Sequence, residues 1–122
     1  MKIALVSDGE SLESQVSDAM GRCTFFVFVN IENKKIIDFY SKENTAKAHQ
    51  GGAGITAGQL VANESIDAII VKNIGPRAFS VFEKLDIKIY KGFSGSIKEN
   101  VEKLLRSELE IFGSPMRRGM HK

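Results

Sequence analysis

The thirteen residues from Asp67 to Phe79, DAIIVKNIGPRAF, constrain the fold more than any other part of this chain. Ala68 to Val71 is an apolar, β-branched run too short for a helix, which reads as a strand buried on both faces and hence as part of a parallel sheet. Asn73 and Gly75 then turn the chain, and Pro76 suits the first position of a helix, where the missing N–H costs nothing. A strand-to-helix junction of this kind leaves free backbone N–H groups and the positive end of a helix dipole at one edge of a sheet. In α/β domains that edge is where ligands gather.

The remaining elements follow from periodicity. Lys2–Ser7 reads as a short buried strand and Asp8–Arg22 as a polar loop. Cys23–Ile31 and Lys34–Ser41 read as two strands joined by Glu32-Asn33, a hairpin. After a polar loop over Lys42–Gln50, Gly51–Ala53 lead into a helix over Gly54–Asn63, with Ile55, Leu60 and Val61 directed at the sheet. The Pro76 helix carries Phe79, Phe82 and Leu85, and Asp86–Tyr90 is a further strand. The last helix has Ser96 and Glu99 spaced as a capping box, with Ile97, Val101, Leu104 and Leu105 as its buried stripe. The order β-β-β-α-β-α-β-α, with right-handed crossovers, predicts a five-stranded mixed sheet between helices on both faces. That is the ribonuclease-H-like three-layer α/β/α arrangement. One domain is expected over residues 1–107, followed by a flexible tail over 108–122 that includes Met116, Met120 and His121.

Composition removes several function classes. The 122 residues carry a net charge of +2, part of it in Arg117-Arg118, so the body is near neutral and no nucleic-acid partner is expected. A single cysteine, Cys23, excludes an intrachain disulfide framework and fits a reducing cytosol. The apolar core of MKIALVSD is too short for a secretory signal and no run reaches membrane-spanning length, so the expectation is a cytoplasmic protein without a membrane partner. The GGAG segment lacks nucleotide-binding spacings, and there is no CxxC or HExxH. A two-metal nuclease needs carboxylates clustered on central strands, whereas Asp8 follows the first strand and Asp67 precedes the fourth, on opposite edges.

The predicted topology brings Cys23, the glycines Gly51, Gly52 and Gly54, the Asn73–Pro76 turn and the Gly92–Ser96 loop to a single edge. Helix starts beside glycines favour an anionic ligand. Cys23, Met20 and His49 offer soft or borderline donors to a transition metal or a sulfide-containing cluster. Gly75, Ser94 and Gly95 complete the expected binding set, with Arg22 and Arg77 adding charge at its rim. Each residue also has a structural reading. Cys23 opens an apolar strand as a small hydrophobe would, His49 sits in a polar loop, Met20 is positioned to pack, and Gly75-Pro76 is a strand stop and helix start. Phe25, Phe26 and Phe28 read as core on both sheet faces.

The segments SDAMGRCTFFVFVNIE, GGAGITAGQLVANESIDAIIVKNIGPRAF and IKIYKGFSGSIKENVEKL resemble the dinitrogenase iron–molybdenum cofactor biosynthesis family, from Met1 to about Glu110. That family includes NifX-type carriers, the C-terminal domain of NifB-type enzymes and many small stand-alone proteins. The resemblance implies the ribonuclease-H-like fold and non-catalytic binding of iron–sulfur or molybdenum-containing cluster precursors. Cluster donor and acceptor proteins are the partners it implies, with the chain a monomer or weak homo-oligomer. Family members commonly read Ser-Glu-His-Phe-Gly-Arg where this chain reads Ser17-Asp18-Ala19-Met20-Gly21-Arg22, so the histidine implicated in cluster binding falls on Ala19. Cys23 is then the expected covalent anchor, with Met20 and His49 as softer candidates. The alternative is a small-molecule or protein-interaction module of the same fold without a metal.

Overall fold

In the computed structural model, which describes residues 1–48 and 53–113, the central sheet has the strand order β3-β2-β1-β4-β5. Its strands are β1 (Lys2–Ser7), β2 (Phe25–Glu32), β3 (Lys35–Glu43), β4 (Ala68–Val71) and β5 (Lys88–Lys91), with helices α1 (Ala53–Ala62), α2 (Pro76–Lys84) and α3 (Ile97–Leu105). β1 lies antiparallel to β2 and parallel to β4, and β4 runs parallel to β5. This is the expected ribonuclease-H-like order, and its cause is legible in burial. Ile3–Ser7 of β1 and all of β4 are buried on both faces, so helices must cover both sides of the sheet. The crossovers from β3 to β4 through α1 and from β4 to β5 through α2 progress in one direction, which sets α1 and α2 side by side on one face. A Cβ on Gly58 of α1 would sit at ordinary contact distance, 3.7 Å, from Phe82 of α2.

α3 covers the other face, started by the capping box read from the sequence: the Ser96 hydroxyl accepts from Glu99 N at 3.0 Å and the Glu99 carboxylate accepts from Ser96 N at 2.9 Å. Fully buried Asn100 closes the loop before it, accepting from Phe93 N at 2.9 Å and donating to Phe93 O and Ser96 O. Gly92 is required there, since a Cβ would lie 2.8 Å from Ile70 Cγ2 and 2.9 Å from Asn100 Oδ1.

Several boundaries differ from the sequence reading. The hairpin turns at Asn33-Lys34, both left-handed (φ 53° and 61°), one residue later than expected; two consecutive positive φ values are what a tight hairpin demands. The described part of the loop after β3 contains a 3-10 turn, Thr45–Ala48. Leu60 (36% exposed) and Leu85 (55% exposed) do not join the core, because Leu60 lies on the outer side of α1 and Leu85 caps α2. The described residues at the start of the expected tail, as far as Gly113, lie against β5. Lys91 N donates to Glu110 O at 2.7 Å and Phe112 N to Ile89 O at 2.8 Å, while Leu109 and Phe112 pack on the core. Met116, Met120 and His121 lie outside the described residues. No helix among the described residues is long and apolar enough to cross a membrane.

Candidate functional site

At the edge where β1 and β4 end, the chain forms a cavity of about 450 Å³. One wall is the turn out of β4 and the first turn of α2, Asn73 to Ala78; the second is the loop Ala19–Gly21; the third is the start of α1, Gly54 and Ile55. A short strand that ends at Val71, followed by the turn through Asn73, Gly75 and Pro76, starts α2 facing this space. Gly75 is the N-cap in extended conformation (φ −82°, ψ 169°) and makes no side-chain cap. The first-turn N–H groups of Arg77 and Ala78 are therefore not claimed by a capping side chain, in contrast to the capping box of α3. Two helix starts and the Arg77 guanidinium make the cavity favourable to an anion. Its remaining lining, including Met20, Ile55, Ile74 and Pro76, is largely apolar.

The Ala19–Gly21 wall is held from both sides. Lys72 Nζ pairs with Asp18 Oδ1 at 2.6 Å, and Asn73 Nδ2 donates to Asp18 O at 3.2 Å, tying the loop to the end of β4. Behind it, Asn44 is 3% exposed and donates from Nδ2 to Cys23 O at 3.0 Å and Gly21 O at 3.2 Å, with Met20 O at 3.5 Å. Its Oδ1 accepts from Ala46 N at 3.0 Å, which also turns the chain into the 3-10 segment. Asn44 is a positioning residue that the sequence reading missed. The hairpin register could have found it: pairs from Phe25↔Glu43 to Asn30↔Asp38 all sum to 68, and the same sum sets Asn44 across from Thr24, where Asn44 N donates to Thr24 O.

The expected site residues divide. Met20, Gly54 and Gly75 line the cavity, with Arg77 beside them, and Met20 is itself only 4% exposed. Ser94 lines a neighbouring cleft with Asp8, Ala19, Arg22 and Lys72. Gly95 serves the framework: its carbonyl accepts from Val16 N at 2.9 Å. His49, Gly51 and Gly52 lie outside the described residues. Cys23, the expected covalent anchor, is set back from the cavity. It is 1% exposed, lies beneath the loop and not in the lining, and its thiol donates to Met20 O at 3.4 Å. Burial pushes its pKa from 9.0 up to about 11. Among the described residues no group of three or more His, Cys, Asp or Glu side chains is placed to hold a metal ion. Asp8 and Asp67 sit at opposite ends of the sheet, Asp67 accepting from Lys2 N at 2.8 Å.

What the cavity offers a ligand is N–H donors, a guanidinium and an apolar floor. Comparisons with known proteins bear on its nature. A family model described as dinitrogenase iron–molybdenum cofactor matches residues 1–107. An uncharacterized protein of Methanocaldococcus jannaschii is 45% identical over 112 residues, 92% of each chain. The apo form of the orange protein of Desulfovibrio gigas superposes with a TM-score of 0.84 at 23% identity, over 95% of this chain and 96% of that one. A candidate NifB protein from Thermotoga superposes at 0.82 with 26% identity, over 97% and 98%.

Proposed function

Because this chain belongs to the dinitrogenase iron–molybdenum cofactor family, we propose that its edge cavity carries an anionic metal–sulfur cluster, or a precursor of one, as cargo that it binds and does not transform. The observation that carries this reading is the uncapped start of α2 opening into the cavity next to Arg77. Sulfidic clusters are bulky anions, and their charge is met by the N–H groups of Arg77 and Ala78, by the dipoles of α1 and α2, and by the guanidinium. Met20, Ile55, Ile74 and Pro76 supply a dry, polarizable floor. Gly75 lets the cargo approach the backbone, since nothing occupies the space a Cβ would fill. Cys23 acts beneath the site as packing. Cargo held in this way exchanges without breaking protein–metal bonds, which suits transfer between a donor and an acceptor protein.

The apolar share of the lining favours one second reading, an organic anion in the same cradle. Anaerobic reconstitution with iron–sulfur and thiomolybdate–copper mixtures, followed by metal analysis and visible spectroscopy, separates the two. Stoichiometric metal with charge-transfer bands supports the cluster reading. A colourless, metal-free protein under every condition contradicts it and leaves the organic anion.

A further inference from the structure

β3 is the outermost strand of the sheet, and along its outer edge no strand of the described residues pairs with it. It is nine residues long and displays Ile37 (53% exposed) and Phe39 (40% exposed), an open edge of the kind that pairs with another strand. Its sequence restricts the partner. An antiparallel ladder joins only residues of like backbone orientation, so two copies of one regular strand meet only where paired numbers sum to an even value. The bulge at Ile37, between Asn30↔Asp38 and Ile31↔Ile36, ends the regular edge on one side, leaving Asp38 to Glu43.

Four two-fold registers fit that stretch. Centred on Lys42, only Ser41 to Glu43 pair and the two Lys42 residues face each other. Centred on Phe39, only Asp38 to Tyr40 pair. Centred on Ser41, Phe39 faces Glu43 and Tyr40 faces Lys42, with no charge pair. Centred on Tyr40, Asp38 of each copy faces Lys42 of the other, twice, and Phe39 faces Ser41. Asp38, Tyr40 and Lys42 share one face of the strand. Their side chains are already held on it: Asp38 Oδ1 by Asn30 Nδ2 at 2.6 Å, Lys42 by Glu64 at 2.6 Å, and the Tyr40 ring stacked on Phe28 at 4.9 Å. Opposite charges directly across a ladder stabilise it and like charges oppose it. We infer that β3 is a self-association edge, pairing antiparallel with β3 of a second copy about a two-fold axis at Tyr40. The join makes one continuous ten-stranded sheet.

Charge exchange tests this. Analytical ultracentrifugation across a concentration series should show the wild-type chain reaching twice its 13.5 kDa mass, with association weakened by salt. Asp38→Lys alone and Lys42→Asp alone should each stay at the monomer mass, because both place like charges opposite one another. An equimolar mixture of the two variants should recover a heterodimer, since both pairs become complementary again. A monomeric wild type, single variants that associate as well as wild type, or folded variants that fail to combine would each overturn the assignment. Hydrogen exchange on the wild-type chain provides a readout independent of the variants' folding. Amides in residues 38–42 should slow as concentration rises, and rates independent of concentration would overturn the proposal. Pairing with a different protein's strand would appear as a wild-type monomer.

Discussion

Replacing Asn44 by Ala should cost this domain more than any other single polar deletion in the Ala19–Cys23 wall. The side chain is buried and makes three good hydrogen bonds, to Cys23 O, Gly21 O and Ala46 N at 3.0 to 3.2 Å. Each is worth about 0.5–1.5 kcal/mol net, and the partners that stay buried lose their solvation as well, so the expected loss is about 2–4 kcal/mol. For a chain of this length that corresponds to a fall in Tm of roughly 10 °C. Urea denaturation with an unchanged m-value is the assay, because the substitution alters stability and not the surface exposed on unfolding. Asn44→Asp sharpens the test: it keeps an acceptor for Ala46 N but aims an oxygen at carbonyls, so it should cost at least as much as Ala. Alkylation of Cys23 in the native protein should accelerate in both variants, since the loop above it is released. A loss below about 0.5 kcal/mol for both would refute the assignment of Asn44 as the residue that positions the loop.

Other substitutions probe separate links. Burial holds the Cys23 thiol neutral up to about pH 11 in the folded state against 9.0 ordinarily, so its contribution is fully present below pH 9 and is lost as pH rises through 11. That two-unit difference is about 2.7 kcal/mol of alkaline destabilisation, which Cys23→Ala should abolish in a stability-versus-pH series. Ser96→Ala removes one half of the α3 capping box and should cost about 1 kcal/mol in the same denaturation assay, leaving ligand binding unchanged. Arg77→Ala should leave stability within about 0.5 kcal/mol, as an exposed position does. The same change should weaken binding of a thiometallate anion roughly tenfold in a spectroscopic titration, through loss of one charge-assisted contact.

Topology was legible because β4 and the Pro76 helix state their structure locally: a four-residue buried run cannot be a helix, and Gly-Pro cannot continue a strand. The Ser96–Glu99 cap was legible for the same reason. The end of the chain was harder, because Leu109, Ile111 and Phe112 have no period of their own and become ordered only by reaching the β5 edge. The site was legible as a place and less so in its roles. Gly54, Gly75 and Met20 converge as the crossovers require, since strand ends in a parallel sheet share an edge. Cys23 read equally well as ligand or filler, and burial, which one sequence does not display, moves it beneath the wall. Asn44 went unnoticed because its partners are the carbonyls of a loop some twenty residues away, brought to it by the hairpin register alone.

The location of the cargo can be read directly from backbone amide resonances in a titration of the isotopically labelled protein with tetrathiomolybdate under anaerobic conditions. The expected result is a saturable set of shifts concentrated at Arg77 and Ala78, with Gly54, Ile55, Met20 and Gly21 following, and little change at the opposite edge around Asp67 and Asp86. Shifts centred anywhere else, or none at saturating anion, would contradict the assignment of the α2 start as the cradle of an anionic cluster.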